Sequence, residues 1–147
     1  MSKGYIFEVS YENFEGEKAN RVIQIDGNAT LYNFAKIITQ AFEFGFDHCF
    51  GFYDNFERLG RSDEVYELFK DVGEPGANNA IGVKKAHVSE AFPVIDKKLL
   101  FLFDYGDEWH FTVKLKEIKE FDGKKVKPAV IESIGKAPQQ YPDIEQD

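Results

Sequence analysis

Cysteine, tryptophan and methionine each occur once in the 147 residues, and cationic side chains are the minority charge. A lone Cys49 cannot close an internal disulfide. A chain of this length needs none, since folding hides roughly 68–70% of the surface its unfolded form exposes. That cysteine usage fits a reducing compartment, and a cytoplasmic location is the expectation. Lys and Arg number 18 against 26 Asp and Glu, a net charge of −8. The balance works against nucleic acid as a partner, because phosphate backbones need a cationic patch. No apolar run approaches the roughly 18–20 residues that cross a bilayer. Met1-Ser2-Lys3-Gly4 leads into YIFEVSY without a secretory apolar stretch, so no membrane is expected. There is no internal repeat, no heptad and no linker long enough to separate a pair of domains. Residues 1–135 are expected to form one domain, followed by a short acidic tail over 136–147.

Phenylalanine is abundant: 15 Phe and 7 Tyr suit a pleated, half-buried surface and favour a sheet. Tyr5, Phe7, Val9 and Tyr11 alternate with Glu8 and Ser10, the period of a strand. Glu15-Gly16-Glu17-Lys18 turns the chain toward a second strand through Val22, Ile23 and Ile25. Thr30 is a good N-cap for a helix in which Leu31, Phe34, Ala35, Ile38, Ala41 and Phe42 form one stripe, with Gly45 as its left-handed stop. An aromatic strand is expected over Phe46–Tyr53. Ser62-Asp63-Glu64 reads as the start of a second, shorter helix with Val65, Leu68 and Phe69 inward. Asp71 to Asn79 is a loop, and a helical turn is expected near Val88–Phe92. The order predicts an α+β fold: a β-grasp-like mixed sheet with one main helix across a face.

Residues 99–115, LLFLFDYGDEWHFTVKL, read as a hairpin around an acidic turn. Leu99 to Phe103 is almost wholly apolar, as in a strand covered on both faces. Trp109, Phe111, Val113 and Leu115 share one face of the second arm, opposite His110, Thr112 and Lys114. The turn and its flank supply the candidate binding residues: Asp104, Tyr105, Asp107, Glu108, Trp109 and His110. Asp104, Asp107, Glu108 and His110 could act as ligands to a hard or borderline cation. They match neither EF-hand spacing nor a His-Glu-x-x-His helix. The favoured reading is architectural: aspartates accept backbone N–H groups, Gly106 supplies a positive φ, and Trp109 plugs the core. Tyr105 is expected as an exposed anchor. No metal, cofactor or catalytic residue is expected.

Three stretches resemble one family, the plasmid pRiA4b ORF-3-like proteins. They are Thr30-Leu31 with its helix, Asp47-His48 ahead of Phe50 and Phe52, and Phe103-Asp104-Tyr105-Gly106-Asp107-Glu108-Trp109. Pro128 and Gly135-Lys136-Ala137-Pro138 resemble the closing element of that family. This chain departs in having Phe111 where a histidine often stands, with His110 one place earlier, and Ala137 in place of a cysteine-containing tail. The family has no settled activity. Some members carry a transposon resolvase-like label, but no recombinase nucleophile signature stands here.

His48 and Cys49 are adjacent, so on a strand their side chains diverge and a thiol–imidazole pair is not expected. Cys49 reads as a small buried filler, His48 as a strand-end residue, and nothing singles out His87. Lys114, Lys116, Lys119, Lys124, Lys125 and Lys127 read as a solvated strand face that also discourages edge pairing. Tyr141 could dock on the domain or belong to an arm that a partner reads. The resulting expectation is a non-catalytic binding module with a protein partner, monomeric or a small homo-oligomer. A nucleic-acid accessory protein and a metal-dependent hydrolase built on the acidic turn are the alternatives.

Overall fold

The alternation in the first segment does form a strand, β1 (Ser2–Glu12), which turns into β2 (Lys18–Asp26) as an antiparallel hairpin. In this computed structural model residues 2–123 and 125–141 are described; Lys124 and residues 142–147 of the acidic tail lie outside them. The helix α1 (Leu31–Ala41) follows, and the Thr30 hydroxyl caps it by accepting from Asn33 N–H at 3.1 Å. Then come β3 (Phe50–Tyr53), β4 (Val65–Glu67), the single turn α2 (Leu68–Asp71), β5 (Ile81–Gly82) and the single turn α3 (Val88–Ala91). The long hairpin β6 (Lys98–Phe103) and β7 (Trp109–Phe121) is followed by β8 (Ala129–Ile134). All eight strands make one mixed sheet, ordered β5-β4-β3-β6-β7-β1-β2-β8, with only the β4–β5 pair parallel. This is the expected α+β class. Among the described residues no helix is long and apolar enough to cross a membrane.

The helix α1 lies on one face, where Phe7, Phe34, Phe52, Phe92 and Phe101 interlock with ring centroids 4.5 to 6.1 Å apart. On the other face Tyr53, Val65, Ala80, Leu100 and Leu102 form a smaller cluster with Leu59 and Ala77. Every residue from Leu99 to Phe103 is therefore buried, the outcome its unbroken apolar run implied. A bulge in β7 opposite Ile6 and Phe7 shifts the ladder by one residue. Gly4 to Phe7 are all buried, so β1, like β6, is covered on both faces along that stretch.

Three local expectations are corrected. The segment after Ser62 does not begin a helix. Val65 and Tyr66, β-branched and aromatic, pair with β3 instead, and Ser62 Oγ accepts from Asn55 N–H at 3.0 Å. The aromatic strand starts at Phe50, because Phe46 packs against Tyr32 and Phe50 rather than pairing. Helix α1 is stopped by Glu43, at φ 63°, and not by Gly45. Phe44 N–H donates to Thr39 O at 2.8 Å and Glu43 N–H to Gln40 O at 3.0 Å, the paired bonds of a Schellman ending. A Cβ in this left-handed conformation costs roughly 1–2 kcal/mol. Glu43→Gly is therefore expected to raise stability by about 0.5–1 kcal/mol, after allowing for glycine's freer unfolded state. The urea midpoint would move up with an unchanged slope.

Candidate binding groove at the hairpin turn

The turn between β6 and β7 is held by Asp104. Its backbone takes φ 67°, which aspartate tolerates, and its N–H donates to Cys49 O at 2.9 Å. Asp104 Oδ1 accepts from Gly106 N–H at 3.1 Å and Asp107 N–H at 3.3 Å, closing an Asx turn. Glu108, at φ 53°, donates its N–H to Asp104 O at 2.6 Å. The positive-φ positions of the turn are thus Asp104 and Glu108. Gly106, expected to fill that role, does not.

Tyr105 is not an exposed anchor. Its side chain crosses to the minor face, where its hydroxyl lies 2.7 Å from that of Tyr53 and its ring 4.8 Å from Phe69. Tyr53 in turn donates to the buried carboxylate of Glu67, which also accepts Ala77 N–H at 2.8 Å. Burial, followed by these bonds, holds the Tyr53 hydroxyl far above the usual phenol range, and burial does the same for Tyr105. Gly51 sits under this cluster; a Cβ there would stand 2.8 to 2.9 Å from both hydroxyls and from Tyr66 O.

Past Tyr105, the side chains of Trp109 and His110 are in register with Phe103 and Leu102 and so leave β7 on opposite faces. Asp107, Glu108, Trp109 and His110 line one wall of an open groove of about 750 Å³, and Tyr11, Glu12, Asn13 and Phe14 line the other. The Trp109 ring packs against Phe44 and Tyr11, centroids 4.9 and 5.6 Å away. Its indole N–H is buried and meets no acceptor among the described residues, an uncompensated donor that carries a cost of about 1–3 kcal/mol. Glu108 Oε1 lies 3.6 Å from His110 Nε2. Phe14, at the tip of the β1–β2 hairpin, is fully exposed at 108% of its reference area. Burial first, then the charges of Glu15 and Glu17, push the Tyr11 hydroxyl up. No three His, Cys, Asp or Glu side chains among the described residues converge as metal ligands, because Asp104 turns inward while Asp107 and Glu108 turn out.

Behind the turn the chain closes on itself. Gln140, buried, accepts from Gly45 N–H at 2.8 Å and donates to Asp47 Oδ1 at 3.2 Å. Tyr141 docks on the domain, its hydroxyl donating to Asp47 Oδ2 at 2.8 Å. With that hydrogen committed, His48 Nε2 donates to the phenol oxygen at 2.7 Å, and it lies 3.4 Å from Asp104 Oδ2. His48 is therefore a buttress of the turn, and Cys49, expected to be buried, is only half-buried. His87 also gains a place: it caps α3, its N–H donating to Glu90 Oε1 at 2.8 Å. The Tyr141 hydroxyl bond holds Asp47 below the usual carboxylate range and pushes Tyr141 up to about 12. A depressed carboxylate stabilises the form above its unfolded value and loses that contribution as pH falls through the folded one. The Gly45 amide is thus expected to lose hydrogen-exchange protection as pH falls below the ordinary aspartate range, and Asp47→Asn to lack that acid step.

Sequence reading located the acidic turn but not its facing wall. Phe14 was visible as an aromatic set in an otherwise polar turn, NFEGEK; Tyr11 looked like one more core residue. A family model for the plasmid pRiA4b ORF-3-like proteins matches residues 3–143. No curated protein matches the chain. Among solved structures it is similar to the protein of unknown function MM3350 from Methanosarcina mazei Go1, at 22% identity and a TM-score of 0.72. That likeness covers 94% of this chain and 72% of the other, and it is a likeness of fold. With a family match over nearly its whole length and the motif hairpin in place, the chain belongs to the plasmid pRiA4b ORF-3-like family.

Proposed function

We propose that the protein is a non-catalytic binding module and that the groove between the β1–β2 tip and the β6–β7 turn is its contact surface. One observation carries this reading: a fully exposed phenylalanine, Phe14, lines an open groove together with Tyr11 and Trp109. Exposed aromatic side chains next to a recess are the usual anchors of protein contacts. Asp104, consumed by two amide N–H groups, is part of the scaffold, which leaves Asp107, Glu108, Trp109 and His110 to meet a partner. The metal-hydrolase alternative loses support because Asp104 is turned inward onto backbone N–H groups, away from Asp107, Glu108 and His110. The nucleic-acid alternative rests on a lysine stretch interrupted by Glu117, Glu120 and Asp122, and Lys114 lies 3.7 Å from the Asp96 carboxylate.

A photo-crosslinking amino acid at position 14 and, as a control, at Val94, 60% exposed, tests the proposal. A discrete protein adduct formed in cells from position 14 and not from position 94 is expected. Equal adducts from both positions, or none from position 14, would sink it.

A further inference from the structure

The groove wall has a one-sided chemistry. Its rim carries Glu12, Asp107 and Glu108, with His110 3.6 Å from Glu108, and neither Lys nor Arg lines it. Its apolar lining is aromatic: Tyr11 and Trp109 pack together at 5.6 Å with their rings inclined by 51°, and Phe14 stands free at the edge. An acidic or phosphorylated ligand would be repelled by these carboxylates, and a purely aliphatic one would leave them without a cationic partner. A planar cation is the group that satisfies both features, stacking on aromatic faces while forking its N–H donors to carboxylates.

We propose that the groove takes a basic peptide segment, seating an arginine side chain against Tyr11 and Trp109 with its guanidinium toward Asp107 and Glu108. This rests on the binding-module reading and names the partner chemistry of that same surface. Arginine suits it better than lysine, whose compact and strongly hydrated ammonium neither stacks nor forks. Phe14 closes over the aliphatic stem, an apolar contact that long cationic side chains commonly make. The net charge of −8 draws such a segment in from a distance, most effectively at low salt.

Trp109 is the chain's single tryptophan, so its emission reports on this groove alone. The full chain is titrated with a synthetic peptide of alternating Arg and Gly. Two counterparts follow, one with citrulline in place of Arg and one with Glu. A saturable emission change with the Arg peptide is expected, weakening as salt rises. The double variant Asp107→Asn, Glu108→Gln should bind about tenfold more weakly, with its fold checked by circular dichroism. Phe14→Ser, at a position that touches no core, should weaken binding about threefold. Equal binding of the citrulline or Glu peptide overturns the proposal, as does a flat titration. Phe14-dependent self-association in sedimentation, or binding of lipid vesicles without binding of the peptide, assigns the surface to another occupant and also overturns it. A flat titration alongside a specific adduct from position 14 leaves the binding-module reading intact and removes only the cationic partner; failure of both removes both.

Discussion

Phe111→Ala is expected to destabilise the protein by roughly 3–5 kcal/mol, the range for emptying a buried aromatic site. Phe111 is 1% exposed and stands where four other rings meet. Phe42, Tyr11, Phe101 and Phe44 have centroids 4.7, 5.7, 5.9 and 6.0 Å away. These neighbours come from the end of α1, from β1 and from β6, so no single one can relax into the vacated space without pulling its own element. Set against a total stability of about 5–15 kcal/mol, the loss is large enough to populate the unfolded chain on modest heating. Chemical denaturation would show a lower midpoint with an unchanged slope. Phe111→Leu, which keeps most of the volume, should cost about half as much.

Arg21→Met is expected to cost about 3 kcal/mol and to release β8 before the rest of the sheet. The guanidinium, 4% exposed, has four carbonyl acceptors. It donates to Ala41 O at 2.9 Å, where α1 ends, to Asn20 O at 2.9 Å, and to Ile134 O and Gly135 O at 3.2 and 3.1 Å. Its Cζ also lies 4.9 Å from the centre of the Phe42 ring. A positive charge at the carbonyl end of a helix is favourable in itself. Methionine fills comparable space but leaves the Ala41, Ile134 and Gly135 oxygens without this donor. Hydrogen exchange is the discriminating measurement: amides of Ala129–Ile134 should lose protection well before those of β6. Uniform loss across the sheet would mean that Arg21 does not hold β8 in particular. Arg21→Lys should fall between, because one ammonium cannot reach acceptors on both sides.

How legible each element was depended on how far away its cause lies. Helix α1 could be read because its stripe recurs every three to four residues and Thr30 caps it locally. The β6–β7 hairpin could be read because an unbroken apolar run and an alternating one flank a turn. The strand at Val65 was hidden behind Ser62-Asp63-Glu64, an excellent helix start by local chemistry. Its partner, β3, is what decides the matter, and nothing near Ser62 announces that. Tyr105 pointed the wrong way for a similar reason: its hydroxyl answers to Tyr53, 52 residues earlier. The left-handed positions fell on Glu43, Asp104 and Glu108 beside glycines that looked better suited, since the hydrogen bonds of each ending fixed the conformation. For the groove, only the acidic wall was readable. Tyr11 and Phe14 join it through the β1–β7 ladder, a pairing more than 90 residues apart in sequence.

The sheet's two borders are unequal. β5 is two residues long, whereas β8 runs for six and turns Val130, Ile131 and Ile134 to solvent at 40, 54 and 58% exposure. A bare ladder of backbone groups beside branched aliphatic side chains is a template for adding strands from other molecules. Fibrillar aggregation of concentrated stocks would begin along that margin, and a lysine introduced at Ile131 is the natural guard against it.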